Sequence, residues 1–542
     1  MRRVPSRLSD ETFDLLVIGG GITGACIARD AALRGLKVAL VEKGDFASAT
    51  SAHNSKLIHG GLRYLRNLEF GLVRESLRER RIWQRIAPHL VHPLPFLVPL
   101  YSAGWHARAT LSAGLSLYDV LSYDRSWLDD PYQRLPGHSW LNKSEAVARE
   151  PILEAPEFEG AFLYYDAQMY APERLALECL IDADTNGAAI ANYVEAEKLL
   201  LRGGRVSGCA VRDVFTQAPF DIRATETLVA TGPWVDLFLE QALGKPASHK
   251  LKRSKGIHLI VPARTRECAL TMAAEGGHFF VLPWRGHTLL GTTDTAFTGD
   301  PDDVGVSERD IEDFFAFINW HWPAAQLRGD EVEHFYAGLR PLVDDGSKDT
   351  YGASRRAAIV DHGKDDGIAG LTSVIGGKWT TSRDLAEKAV DVIVRKSGLR
   401  PAACSTAIMR LPGGTIDRFA DLEAAQKLSY PQVADVGHLV RLYGARLPRV
   451  FALAKGRPEL GQPIGRTGDI AAQVIHTVRD EMAMTLADVV LRRTGIGQLG
   501  APGSDILNDV FRILGAELGW AGARRTSEVE RLASAYRVQQ AS

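Results

Sequence analysis

Phe13-Asp14-Leu15-Leu16-Val17-Ile18-Gly19-Gly20-Gly21-Ile22-Thr23-Gly24 is the stretch that decides how this chain folds. Its first half is a short apolar run, as expected of a strand buried on both faces. Its second half is Gly-x-Gly-x-x-Gly, a turn that leads from such a strand into a helix. The Ala-rich spacing from Thr23 onward predicts that helix, with Gly35 as its C-terminal cap. Lys37 to Val41 reads as the next strand and ends at Glu42. Strand, helix and strand together occupy about 30 residues, the size of one β-α-β unit.

Each glycine of the turn has a task. Gly19 permits the tight turn, Gly21 lets a pyrophosphate approach the backbone, and Gly24 lets helix and strand pack closely. The helix N-terminus, from Ile22 and Thr23 on, offers free N–H groups and the positive end of its dipole. Glu42 lies 18 residues after Gly24. Its carboxylate suits a ribose 2′-OH and repels a 2′-phosphate, which argues against NADP. The unit is therefore a dinucleotide site, but the turn alone does not separate FAD from NAD.

The rest of the chain sets bounds on what this site serves. Its 542 residues, 45% hydrophobic and 24% charged, describe an ordinary globular protein of several domains. A net charge of −2 gives no global field for nucleic acid, and the basic stretch 74–85 reads as a solvated helix face. Five scattered Cys without a C-x-x-C argue for free thiols in a reducing, cytoplasmic compartment. The 15 His are dispersed and suggest no metal site. The N-terminus has no signal-peptide h-region. Ile86 to Ala107 lacks Asp, Glu, Lys and Arg, but Pro88, Pro93, Pro95 and Pro99 exclude a spanning helix.

Helices are predicted over 68–90, 172–188 and 305–322, and strands at 190–200, 206–214, 227–232 and repeatedly between 250 and 300. After Pro401 the chain reads as mostly helical, which places a boundary near 395–405. Ala230-Thr231-Gly232 follows a second apolar strand and lets the chain pass close to a cofactor. Thr50 to Lys56 is rich in small donors that suit a pyrophosphate and a flavin edge.

This combination resembles the two-domain flavoproteins that include amino-acid oxidases, and it implies FAD. Ser55 to Leu65 (SKLIHGGLRYL) and Gly376 to Glu387 (GGKWTTSRDLAE) are similar to signatures of the FAD-dependent, respiratory glycerol-3-phosphate dehydrogenases. Ser254 to His258, Gly291 to Thr295, Gly338 to Leu342, Arg441 to Arg446 and Leu486 to Gly495 follow the same pattern in the same order. The resemblance spans essentially the whole chain. It departs at Pro172-Glu173-Arg174-Leu175, where the family more often has Asp-Ala-Arg-Leu, and at Trp379, where a smaller apolar residue is expected.

The resemblance implies an α/β fold in three parts. Residues 1–90 with about 155–235 and 335–400 form a Rossmann-like FAD-binding domain. Residues of about 91–154 and 236–334 form an antiparallel-sheet substrate domain, and 401–542 form a C-terminal helical domain. Cofactor contacts are expected from the glycine turn with Glu42 and Lys43; from Thr50, Ser51, Ser55, Lys56, His59 and Gly60; from Val194, Thr231 and Gly232; and from Gly377 to Thr380.

The implied substrate is glycerol 3-phosphate, which carries nearly two negative charges at neutral pH. Several cations are needed to hold it, preferably Arg. Arg63, Arg340, Lys378 and Arg355 are the candidates, with Arg356 an alternative to Arg355. Tyr64 is expected at the substrate, and Thr380 at the flavin or the substrate.

Oxidation of the C2 alcohol to dihydroxyacetone phosphate needs a base, and Arg stays protonated to about pH 12. His258 is the first candidate and His59 the second, since nearby cations favour a neutral imidazole. A packed ring or a substrate donor is the other reading of His258. The resemblance further implies a membrane quinone as acceptor, with the enzyme peripheral on the inner face of the cell membrane. A sister oxidase would use oxygen instead. Residues 94–118 suit a domain core or an interface, and the C-terminal helices suit a homodimer contact or membrane docking.

Overall fold

The computed structural model describes residues 1–102, 104–275, 277–343, 356–520, 522 and 524–540. The opening segment folds as its pattern predicts, with the strand Thr12–Ile18, the helix Ile22–Leu33 and the strand Val38–Glu42. Thr12–Ile18 pairs in parallel with Val38–Glu42 on one side and with Pro219–Val229 on the other. Parallel strands Ala189–Asn192 and Leu371–Ile375 extend this sheet, and antiparallel Ala358–Asp361 closes one edge. A hairpin of Val194–Arg202 and Arg205–Asp213 leaves it from Pro219–Val229.

Strand order therefore reverses at Thr12–Ile18: the chain moves outward to Val38–Glu42 and later returns on the opposite side as Pro219–Val229. A crevice opens beyond the carboxyl ends of strands at such a switch point. Here it opens between Gly19–Gly24 and Ala230–Gly232.

A second sheet is mostly antiparallel and runs Thr295–Phe297, Leu251–Pro262, His287–Gly291, Gly277–Trp284, Ala269–Ala274, Val91–Tyr101, Phe158–Met169, Leu57–Ile58. His334–Val343 adds to Leu251–Pro262, and Ser139–Asn142 to Phe158–Met169. Two long strands of this sheet, Phe158–Met169 and His334–Val343, and the short Leu57–Ile58 fall in ranges that the sequence assigns to the nucleotide-binding part, yet they are hydrogen-bonded into the second sheet. The reason is physical: alternating apolar residues specify a strand with one buried face but do not name the sheet that buries it.

The expected helices are present as Phe70–Ile86, Pro172–Thr185 and Glu308–His321. Residues 94–118 divide between two elements: Val91–Tyr101 is a strand of the second sheet, whereas the helix Gly104–Leu121 exposes residues 104–110. Beyond residue 404 the described chain is mostly helical. Leu439, Leu442, Val474 and Leu486 of that region share one core with Ala25 and Ala28 of the first helix and with Leu177.

Buried ion pairs reinforce this junction. Arg493 donates to both oxygens of Asp45 (2.7 and 2.8 Å), and Arg492 adds a third bond at 2.5 Å. Arg174 makes a bidentate pair with Glu481 (2.8 and 3.0 Å) and donates to Leu442 O. The departure at Pro172–Leu175 thus still delivers its Arg to a structural pairing, while Glu173 accepts from Gln498 Nε2 at 2.5 Å.

Candidate active site

The crevice at the switch point continues into a single cavity of about 2710 Å³ that runs between the two sheets. At one end lie Gly19, Gly21, Ile22 and Thr23. The helix behind them packs so closely that a Cβ on Gly24 would sit 1.9 Å from Gly19 O, which requires glycine there. Gly24 therefore shapes the turn from behind and does not line the cavity.

Glu42 does line it. Its carboxylate accepts from Gly20 N (2.7 Å) and Gly44 N (2.9 Å), and burial pushes its pKa upward. Each oxygen keeps a lone pair for a further donor, so the arrangement fits a ribose hydroxyl. Val194, Thr231 and Gly232 complete this end. Ser51 Oγ accepts from Ile22 N at 2.9 Å and so ties the Thr50–Lys56 segment to the helix N-terminus. Lys43 reaches across to Asp302 at 2.8 Å and lies over the Trp234 ring.

The far end gathers the cations. Gly61 has a φ of 75° and turns the chain into a short 3-10 helix, Leu62–Asn67, that sets Arg63 and Tyr64 on the wall. Arg63 stacks on the Tyr64 ring at 5.1 Å, and Lys378 Nζ lies 4.5 Å from the same ring. Lys378 donates to Ser76 Oγ at 2.7 Å, and burial lowers its pKa to about 8. Arg340 donates to Thr292 Oγ1 (2.8 Å), Ser254 Oγ (3.1 Å) and Thr293 O (3.1 Å) and pairs with Asp294 at 4.0 Å, contacts that aim its guanidinium along the wall.

Trp379 hydrogen-bonds Ser51 O through Nε1 at 3.1 Å and leans on Trp83 at 5.4 Å; its size thus bridges two segments of the site. Thr380 Oγ1 accepts from His59 N at 3.2 Å and keeps its own proton to donate. Thr50, Ser55, Lys56, His59 and Gly377 also face the cavity.

Gly60 and His258 stand off the wall. Gly60 lies behind the wall, where its N–H donates to Tyr118 Oη at 3.0 Å and a Cβ would strike that oxygen. His258 is buried one residue behind the cavity, its Nε2 2.9 Å from Ser55 Oγ and its ring stacked on Tyr336 at 5.1 Å. Burial, with Arg340 and Lys56 nearby, drives its pKa well down, so the ring is neutral. His59, on the wall itself, is likewise lowered to about 3 by burial with Lys378 and Arg63 beside it. Arg355 lies outside the described residues; its neighbour Arg356 lines the cavity 3.9 Å from Glu69.

Several lining residues escaped the sequence reading. His53 packs against Tyr336 at 5.3 Å, the same ring over which Lys56, itself expected at the site, places its Nζ at 4.7 Å. His53 lay inside the quoted Thr50–Lys56 stretch, so a signal was present. Ser76, the partner of Lys378, occupies an unremarkable place in a charged helix and gave none. Leu491, Arg492, Ser534, Ala535 and residues 537–539 of the C-terminal region also line the cavity; the first two fall within the family-like stretch Leu486 to Gly495, and no motif marks the others.

A nucleotide-binding crevice that opens into a cation-lined chamber between two sheets defines an FAD-dependent oxidoreductase. Residues 14–383 match the family model described as FAD dependent oxidoreductase, and residues 404–525 match the C-terminal domain of alpha-glycerophosphate oxidase. Glycerol-3-phosphate dehydrogenase from Synechocystis is 37% identical over 98% of this chain and 97% of its own. The crystal structure of glycerol-3-phosphate dehydrogenase from Bacillus halodurans complexed with FAD superposes with a TM-score of 0.78 at 28% identity, covering 98% of this chain and 96% of that one. L-alpha-glycerophosphate oxidase from Mycoplasma pneumoniae, 18% identical with a TM-score of 0.54 over 74% of this chain and 99% of its own, shares the fold. The chain belongs to the FAD-dependent glycerol-3-phosphate dehydrogenase family, and its cofactor is FAD.

Proposed function

We propose that this protein oxidises sn-glycerol 3-phosphate to dihydroxyacetone phosphate and passes the electrons to a membrane quinone. The observation that carries this reading is the convergence of Arg63, Arg340 and Lys378 on the cavity that begins at the glycine turn. A carboxylate substrate needs one cation; a phosphate dianion rewards several. FAD supplies the acceptor for the hydride that leaves C2.

The chain's own residues do the rest. Lys378 and the two arginines neutralise the phosphate, and Tyr64 and Thr380 orient the glycerol hydroxyls. A neutral imidazole takes the C2 hydroxyl proton: His258 through the Ser55 hydroxyl, or His59 directly from the wall. The three-part division belongs to the same proposal, with Phe158–Met169 and His334–Val343 transferred to the substrate-binding part. The test is anaerobic addition of sn-glycerol 3-phosphate to the purified yellow protein. The visible flavin absorbance bleaches if the reading is right; an unchanged spectrum sinks it.

The quinone and membrane parts rest on an apolar arm of the cavity walled by Phe96, Val98, Leu100, Leu111 and Leu117. Beside it Leu68, Trp105, Val120, Tyr123 and Trp127 are exposed, and the helix Gly104–Leu121 carries no acid before Asp119. Aromatic residues with basic neighbours suit a membrane interface. Among the described residues no helix is long and apolar enough to cross a membrane. Membranes washed at low salt therefore retain activity, and activity wholly in the wash contradicts the docking. The match of residues 404–525 to an oxidase domain supports a second reading, oxygen as acceptor. Stoichiometric peroxide during turnover would establish it.

A further inference from the structure

The cavity end beside Glu42 is encircled by four contacts that join residues far apart in sequence. Asp45, three residues after Glu42, is held by Arg492 and Arg493. From that C-terminal segment, Gly497 O accepts a 2.8 Å bond from Tyr536 Oη. The chain then runs to Gln539, whose backbone N–H donates to Val306 O (2.8 Å) and whose Nε2 donates to Asp303 O (3.0 Å). The circuit closes where Asp302 pairs with Lys43.

Leu491, Arg492, Arg537, Val538, Gln539 and Asp302 all line the cavity, so the circuit borders the space it surrounds. Its links differ in kind. The Asp45 link is buried, whereas Lys43 and Asp302 are 43% and 58% exposed and Gln539 is held by two hydrogen bonds to a surface loop.

We propose that residues 536–539 and the loop 300–307 form a clasp over the adenylate end of FAD, which opens at the Lys43–Asp302 and Gln539 contacts to admit and release the cofactor. This rests on the reading that Glu42 holds the ADP ribose. A clasp differs from an ordinary ligand contact: weakening it speeds both entry and exit, whereas loss of a direct contact speeds exit alone. The clasp is built from residues 536–539 and from a loop between the strand Thr295–Phe297 and the helix Glu308–His321, so it couples cofactor retention to the docking of the C-terminal domain.

The experiment measures FAD release from the holoprotein into dilute buffer and FAD uptake by the apoprotein, both by flavin fluorescence. Variants are Gln539→Ala, Asp302→Asn and a deletion of residues 536–542. Release and uptake should both accelerate, by about tenfold in the deletion and by less in each point variant, the scale expected for losing one or two hydrogen bonds. If the deletion does not fold, the point variants decide. Rates within twofold of wild type in both directions overturn the clasp, as does faster release with unchanged uptake. Glu42→Ala separates the two readings. Lost FAD affinity there with unaltered clasp variants overturns the clasp alone; unaltered affinity removes the placement of the adenylate on which it rests.

Discussion

Cations are buried at both ends of this molecule, but in opposite company. At the C-terminal junction Arg174, Arg492 and Arg493 meet carboxylates, and their pKa values rise because Glu481, Asp45 and Asp488 favour the charged form against burial. At the far end of the cavity Lys378 and Lys56 hydrogen-bond to Ser76 Oγ and Ala52 O, neutral acceptors, and burial lowers both to about 8. The first arrangement leaves no charge to offer and holds domains together. The second keeps a positive charge, at some cost to the empty protein, that the proposed substrate anion would meet.

The largest effect expected from this contrast is at the junction. Arg174→Met strands Glu481 in the core and should destabilise the protein by about 3–5 kcal/mol, the usual consequence of removing one partner of a buried pair. A fall in the urea midpoint checks it; an unchanged midpoint would erase the distinction between the two ends. Lys378→Met should do the reverse. It removes a half-buried cation that pairs with no carboxylate among the described residues, so the midpoint holds or rises and FAD stays bound. Affinity for sn-glycerol 3-phosphate should fall by about 2–5 kcal/mol, as for truncation of a buried charge contact. Loss of FAD with unchanged affinity would contradict the role given to Lys378.

A smaller effect concerns pH. The phosphate becomes a dianion above about pH 6, and Lys378 in the free protein loses its proton as pH rises through about 8. KM should therefore be lowest between these values and climb above the upper one, and Lys378→Met should abolish the climb while leaving the acid limb. A climb of equal size in the variant would assign it to another group. The smallest effect is a control. Arg479 pairs with Glu517 at the surface. Arg479→Ala should shift stability by no more than about 1 kcal/mol, which would show that burial, and not pairing alone, separates the two ends.

Much of the site was legible because its chemistry is local. Gly19 to Glu42 lie in one β-α-β unit, and the segments around Arg63 and Lys378 each carry several site residues in a row. What remained hidden depends on long-range placement. His258 sits on a strand with the right chemistry, yet the register of Leu251–Pro262 with His334–Val343 stacks it on Tyr336 and leaves Ser55 between it and the cavity. The sheet that captures Phe158–Met169 is fixed by eleven register partners in Val91–Tyr101, which alternation within one strand does not reveal. The contribution of Gln539 was equally invisible, and the Leu486 to Gly495 motif that holds Arg492 does not say which cavity that segment borders.

The Asp45 contact also bears on how the protein is made. Its partner Arg492 lies 447 residues further along the chain. At roughly 5–20 residues per second of synthesis, the ribosome needs about 20–90 s to reach it. Until then the carboxylate beside the cofactor crevice must stay hydrated, and the first β-α-β unit emerges with its most costly group still exposed to water. The N-terminal unit thus cannot reach its final packing before residue 492 is made, and the complete cofactor site joins segments synthesised far apart in time.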